Sequence, residues 1–208
     1  MGFARDERRA LSDLFEEVGP DAPTLCEGWL TKDLAAHLVV RERRPDAALG
    51  ILVAPLAAYT ERVQNGYAAK PWRELVHLVR SGPPTLSPYS LPGVDEAANG
   101  VEYFVHHEDV RRAQPGWQPR PADAKRDAAV WKGVTRVARL NYRRSPVGIE
   151  LRRPDGESIT AKRGPNTVTL TGEPAELLLH AFGRDAVRVH AEGEQRAIAV
   201  VNGLTRGI

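Results

Sequence analysis

The sequence predicts an α+β protein, with a helical bundle over residues 1–145 and a small α+β unit over 146–208. Three observations carry that reading. Apolar residues recur at three- and four-residue spacing as far as Arg144. Beyond Arg144 the pattern becomes short alternating segments around turn residues. Proline and glycine fall between these stretches, where they end one element and open the next.

The elements follow in order. Residues 4–18 set Leu11, Leu14, Phe15 and Val18 on one helical face, and Gly19-Pro20 stops that helix. A turn-rich loop leads to Thr31, the expected N-cap of a second helix, with Asp33 in a first turn that favours an acid. This helix runs through DLAAHLVVRERR to about Pro45. Residues 46–66 read as helix broken near Pro55, and Pro71 as the first position of the helix WRELVHLVR. The Pro- and Gly-rich stretch 82–93 is a long connection, and a strong helix follows from Asp95 to Ala113. Pro121 is expected to open the last bundle helix, with Val130, Val134, Val137 and Leu140 facing the core. Next come a hairpin around Pro-Asp-Gly, a strand in NTVTLTG and a helix from Glu173-Pro174 to Gly183. A strand in VRVHAEG and a helix in EQRAIAVVNGL complete the chain.

Bulk properties narrow the function classes. Lys+Arg 29 against Asp+Glu 27 gives a net charge of +2, so no global field favours nucleic acid or an anionic membrane. The basic run Arg41, Arg43, Arg44 is interrupted by Glu42 and reads as a solvated helix face or an anion site. A single cysteine, Cys26, allows no intrachain disulfide and fits a cytoplasmic location. No apolar run approaches the roughly 18 residues of a membrane helix, and the N-terminus lacks the apolar stretch of a secretory signal.

The strongest chemical signal lies on the Asp95–Ala113 helix. Glu102 and His106 are four residues apart, about 40° around the helix, and Asp109 falls about 20° to the other side of Glu102. A stripe of carboxylate, imidazole and carboxylate facing a core buries charge that something must compensate. His37, inside the apolar run LAAHLVV, offers a further imidazole from another helix. Two histidines and a glutamate suit zinc, nickel or ferrous iron and leave a coordination position open. On spacing alone, a solvated Glu–His pair and a hydrogen-bonded core histidine explain the same residues. His107 leaves the stripe as a rim or structural group, His77 can face either way, and His180 and His190 show no partner pattern. Cys26 is a reactive thiol, a metal ligand or a small buried residue.

The segment LCEGWLTKDLAAHLVVRERRPDA, with NGVEYFVHHEDVRRA downstream, resembles the mycothiol-dependent maleylpyruvate isomerase family of the DinB-like four-helix metal proteins. Gly28, Trp29, Asp33, Leu34 and His37 match the start of its second helix, and Glu102 and His106 match its Glu-x-x-x-His helix. VTLTGEPAELLLHAFGR looks like its small C-terminal α+β domain. The whole chain is most similar to an actinobacterial subgroup of metal-binding proteins with no settled reaction. The resemblance implies zinc on His37, Glu102 and His106, an open fourth position, and a low-molecular-weight thiol such as mycothiol as cofactor. Asp109 is expected to hydrogen-bond a ligand imidazole, His37 in preference to His106. Arg41 and Arg184 are candidates for an anionic cofactor or substrate group. Three functions follow: a metal- and thiol-dependent isomerase or transferase, a non-catalytic metal- or ligand-binding protein, or an interaction module. The chain is expected to act as a monomer or a homodimer.

Overall fold

The structure, a computed structural model, describes residues 2–48, 50, 53–84 and 94–206. The chain is α+β, and it forms two compact units, Met1–Pro119 and Arg120–Ile208. Residues 85–93 of the Pro- and Gly-rich connection lie outside the described residues. Among the described residues, no helix is long and apolar enough to cross a membrane.

The first unit is helical. It comprises α1 (Phe3–Val18), α2 (Thr31–Arg43), the single turn α3 (Pro45–Ala48), α4 (Ala57–Ala68), α5 (Trp72–Ser81) and α6 (Val94–Arg112). A 3₁₀ turn at Ala54–Leu56 contains Pro55 and accounts for the expected break. α1 ends where Gly19 takes φ 81°, a conformation that costs other residues, and donates its N–H to the Phe15 carbonyl. Leu11 and Phe15 of α1, Leu34, Leu38 and Val39 of α2, and Leu75, Val76 and Val79 of α5 form one core with Tyr103 and Val110 of α6. Each such aliphatic or aromatic side chain contributes about 1.5–3 kcal/mol on burial. Thr31 is the first helical residue and not the N-cap, because its hydroxyl donates to the Gly19 carbonyl at 2.6 Å. Asp33 does the capping, accepting the Leu30 N–H at 2.9 Å.

α6 is the central helix, buried continuously from Tyr103 to Val110. Its buried charged groups are paired. His107 lies 2.8 Å from Glu7 of α1, and Arg112 donates to Glu108 at 2.7 Å. At its N-terminal end Asp95 accepts from Arg8, and Arg8 also bonds Glu42 of α2 at 2.6 Å.

The second unit contains α7 (Ala124–Asn141), β1 (Ile149–Arg152), β2 (Ser158–Lys162), β3 (Val168–Thr171), α8 (Pro174–Ala181), β4 (His190–Glu192) and α9 (Gln195–Asn202). The sheet order is β2-β1-β3-β4, with β1 and β3 parallel and both outer pairs antiparallel. Ile149 and Leu151 sit opposite Val168 and Leu170, and all four are buried. The boundary thus falls near residue 120 and not at 145, because α7 packs on α8 and β2. α7 is capped by Asp123, which accepts the Arg126 N–H at 2.9 Å, and not opened by Pro121. Val130, Val134 and Ala138 form its buried face, while Leu140 points away and is 47% exposed.

Candidate metal centre

α2 and α6 meet through polar side chains. His37 Nε2 lies 3.3 Å from Glu102 Oε1, and His106 Nε2 lies 3.2 Å from the same oxygen. The three ligand atoms all fall within 4.8 Å of one another. The two imidazole rings are 5.5 Å apart and nearly perpendicular, at 73°. The helical repeat accounts for half of this: positions 102 and 106 are one turn apart on α6. The apolar run around His37 accounts for the rest, since burying Leu34, Leu38 and Val39 carries His37 inward with them. Both histidines are buried, while about a quarter of the Glu102 side chain, 24%, reaches solvent.

The far side of His106 is equally constrained. Its Nδ1 lies 3.0 Å from Oδ2 of Asp109, a fully buried carboxylate. The Asp109 partner is thus His106 and not His37, as the three-residue spacing on one helix favours. The loop before α2 reaches the same carboxylate. Leu25 donates its N–H to the Asp109 carbonyl at 3.1 Å, and the Cys26 thiol donates to Asp109 Oδ2 at 3.2 Å. Cys26 Sγ is also 3.8 Å from His106 Nδ1, so Cys26, His106 and Asp109 form a second donor group beside the first. Thr24 braces this loop, donating to the Trp29 carbonyl at 2.8 Å. The Trp29 ring lies 5.1 Å from the His37 ring.

Arg41, one turn past His37, does not stand ready for an outside anion. Its Nε lies 3.5 Å from Glu102 Oε1, and its NH1 donates to Asn99. Asn99 in turn donates to Glu42 and Asp95, at 2.9 and 2.8 Å. Glu102 is therefore held between two imidazoles and a braced guanidinium. Arg184 belongs to the second unit, where it donates to the Phe182 carbonyl at 2.7 Å. His77 and His190 are exposed.

No family model, no curated protein and no solved structure matches the chain. The site's own geometry and electrostatics carry its interpretation.

Those electrostatics are uneven. Burial pushes the Glu102 carboxyl up, but hydrogen bonds from His106 and His37 and the charges of His106 and Arg41 outweigh it and hold it well below the usual range. Burial pulls His106 down, yet Asp109, Cys26 and Glu102 together raise it well above an ordinary histidine. His37 is lowered, chiefly by burial, with His106 and Arg41 adding to it against the pull of Glu102. The donor set fits a divalent cation. Four ligands at about 2.0–2.1 Å in a tetrahedron stand about 3.3 Å apart, and the two N–O distances here are 3.3 and 3.2 Å. Asp109 on Nδ1 fixes the tautomer that leaves the Nε2 lone pair of His106 for a metal.

The sequence leaves Cys26 among three roles and does not single out Asn99. Cys26 sits in a loop without periodicity, so spacing gives no direction for its thiol. Asn99 does carry a local signal, since it lies three residues before Glu102 on the same helix.

Proposed function

We propose that this chain is a divalent-metal protein, most simply a zinc protein, with His37, Glu102 and His106 as ligands. We read it as a member of the mycothiol-dependent maleylpyruvate isomerase kind, with a DinB-like bundle as its first unit and a cytoplasmic home. The observation that carries the metal is the convergence of Nε2, Oε1 and Nε2 from two helices within 4.8 Å, with Asp109 behind His106. Sequence resemblance alone supports the family and its thiol.

What such an ion supplies is Lewis acidity at an open position, which lowers the pKa of a thiol or water meeting it there. The protein's own groups do the rest. Asp109 holds the His106 ring, Arg41 holds the Glu102 carboxylate, and the partly exposed side of Glu102 leaves an approach from solvent. As a ligand, Glu102 is a poor proton acceptor and does not serve as general base. The activity proposed is thiol-dependent isomerisation or group transfer on a small anionic substrate.

A second reading, a binding protein whose metal braces α2 and α6, draws on one observation. The nearest cation, Arg41, is already engaged by Asn99 and Glu102 and so is poorly placed to take a substrate anion. Titrating the cobalt-loaded protein with mycothiol or another low-molecular-weight thiol separates the two. A sulfur-to-metal charge-transfer band is the result expected of the thiol enzyme. No band and no thermal stabilisation with any physiological thiol leaves the bracing role.

A further inference from the structure

The second unit contains a pocket of its own, about 180 Å³ in volume. That is room for about six waters at roughly 30 Å³ each, or for one small organic molecule. Leu170, Val187 and Val189 form an apolar wall, and His180, Asp185 and Arg206 supply polar groups. Leu170 reaches it from the buried face of β3, and His180 from the last turn of α8. Arg206 is brought over the end of α8 by a close approach. A Cβ on Gly183, which has φ 82°, would stand 2.7 Å from the Arg206 carbonyl oxygen, so only glycine fits there.

The two deepest polar groups have unequal partners. The Arg206 side chain is 4% exposed, while its ion-pair partner Asp185, at 3.1 Å, is 93% exposed. Another guanidinium nitrogen donates to the Val201 carbonyl at 2.9 Å, and the buried Nε–H has no hydrogen-bond partner among the described residues. A guanidinium withdrawn this far from water is normally matched by a carboxylate withdrawn with it. Here the matching carboxylate stands in solvent.

His180 is buried with Tyr142 Oη 2.6 Å from its Nδ1. The phenol is the stronger acid and the imidazole the stronger base, so the hydroxyl donates to Nδ1 and the ring carries its hydrogen on Nε2. Burial, with the nearby charge of Arg206, lowers the His180 pKa to about 3. The ring is thus a neutral donor at physiological pH and adds no second positive charge. One cation, one neutral N–H and an apolar wall suit a monoanion with a short hydrocarbon tail better than a phosphate.

We propose that this pocket binds a small aliphatic carboxylic acid, its carboxylate on Arg206 in exchange for Asp185 and its tail against Leu170, Val187 and Val189. The proposal is independent of the metal centre in the first unit. It concerns residues that none of the three candidate functions uses.

The test is methyl and amide NMR of the full chain titrated with sodium butyrate, and in parallel with butyramide, its neutral isostere. Butyrate is expected to give saturable shifts at Leu170, Val187 and Val189, and butyramide none. Arg206→Gln should weaken butyrate about tenfold or more, the loss of a charge-assisted bond. Because that variant removes a buried side chain, Asp185→Asn is the second arm. Its side chain is exposed, so the fold is kept, and removing the competing carboxylate should tighten butyrate several-fold. Equal shifts with butyramide, no saturation with butyrate, or unchanged or weaker butyrate binding in Asp185→Asn would each overturn the proposal.

Discussion

Each unit holds a buried histidine whose neighbours set its charge, and these two, His106 and His180, are driven in opposite directions. His106 and His180 are similarly buried, at 9% and 7% exposure. His106 lies between two carboxylates, Glu102 on Nε2 and Asp109 on Nδ1, and is raised well above the ordinary value despite burial. His180 faces a tyrosine hydroxyl and a nearby arginine and is lowered to about 3, burial being the main cause. Burial alone disfavours charge on both, so the neighbours decide. A buried imidazole among carboxylates invites a cation, whether a proton or a metal. A buried imidazole beside a phenol and a guanidinium repels one.

The largest expected effect comes from stranding charge. His106→Ala leaves the wholly buried Asp109 without its imidazole, and removing one partner of a buried pair typically costs about 3–5 kcal/mol. Tyr142→Phe in the other unit strands only a neutral nitrogen and should cost about 1–3 kcal/mol. Chemical denaturation of the two variants checks the order, and a larger loss in Tyr142→Phe breaks the comparison. Next comes Asp109→Asn, which keeps the volume but weakens the hold on His106. It should lower metal affinity about 10- to 100-fold in a chelator competition. Unchanged affinity would remove Asp109 from the site.

The pH dependences should oppose each other. With metal stripped by a chelator, the raised pKa of His106 contributes stability that is full below the unfolded value near 6.5 and lost as pH rises through its folded value. The lowered pKa of His180 contributes stability that is full above about 6.5 and lost as pH falls toward about 3. In that acid window the wild type should lose up to about 1.4 kcal/mol per pH unit more than His180→Gln does. Identical slopes would mean that His180 is not held neutral. The smallest effect is expected of Cys26→Ala. It removes one weak thiol donor from Asp109 and should change stability by about 1 kcal/mol or less. A loss as large as that of His106→Ala would make Cys26 part of the primary site.

The legible parts of this molecule are those that depend on local spacing. The pairing of Glu102 with His106 follows from one helical turn, the hairpin from Pro-Asp-Gly, and the inward turn of His37 from the apolar residues around it. The unread parts depend on which face meets which element. α7 shows a clean apolar stripe, but a stripe does not name its partner, and the helix packs on α8 and β2. Asp109 meets His106, its nearer neighbour on the same helix, and not the expected His37. Thr31 has the composition of a cap, yet its hydroxyl is taken by Gly19 across the loop. The His180–Tyr142 pair spans 38 residues and has no local signature.

The central claim is that His37, Glu102 and His106 hold one metal ion. The most direct measurement is elemental analysis after zinc loading and exhaustive dialysis, on the wild type and His37→Ala. The account predicts one zinc per wild-type chain and far less than one in the variant, with both chains folded by circular dichroism. A folded wild type that keeps no zinc, or a variant that keeps a full equivalent, would contradict it.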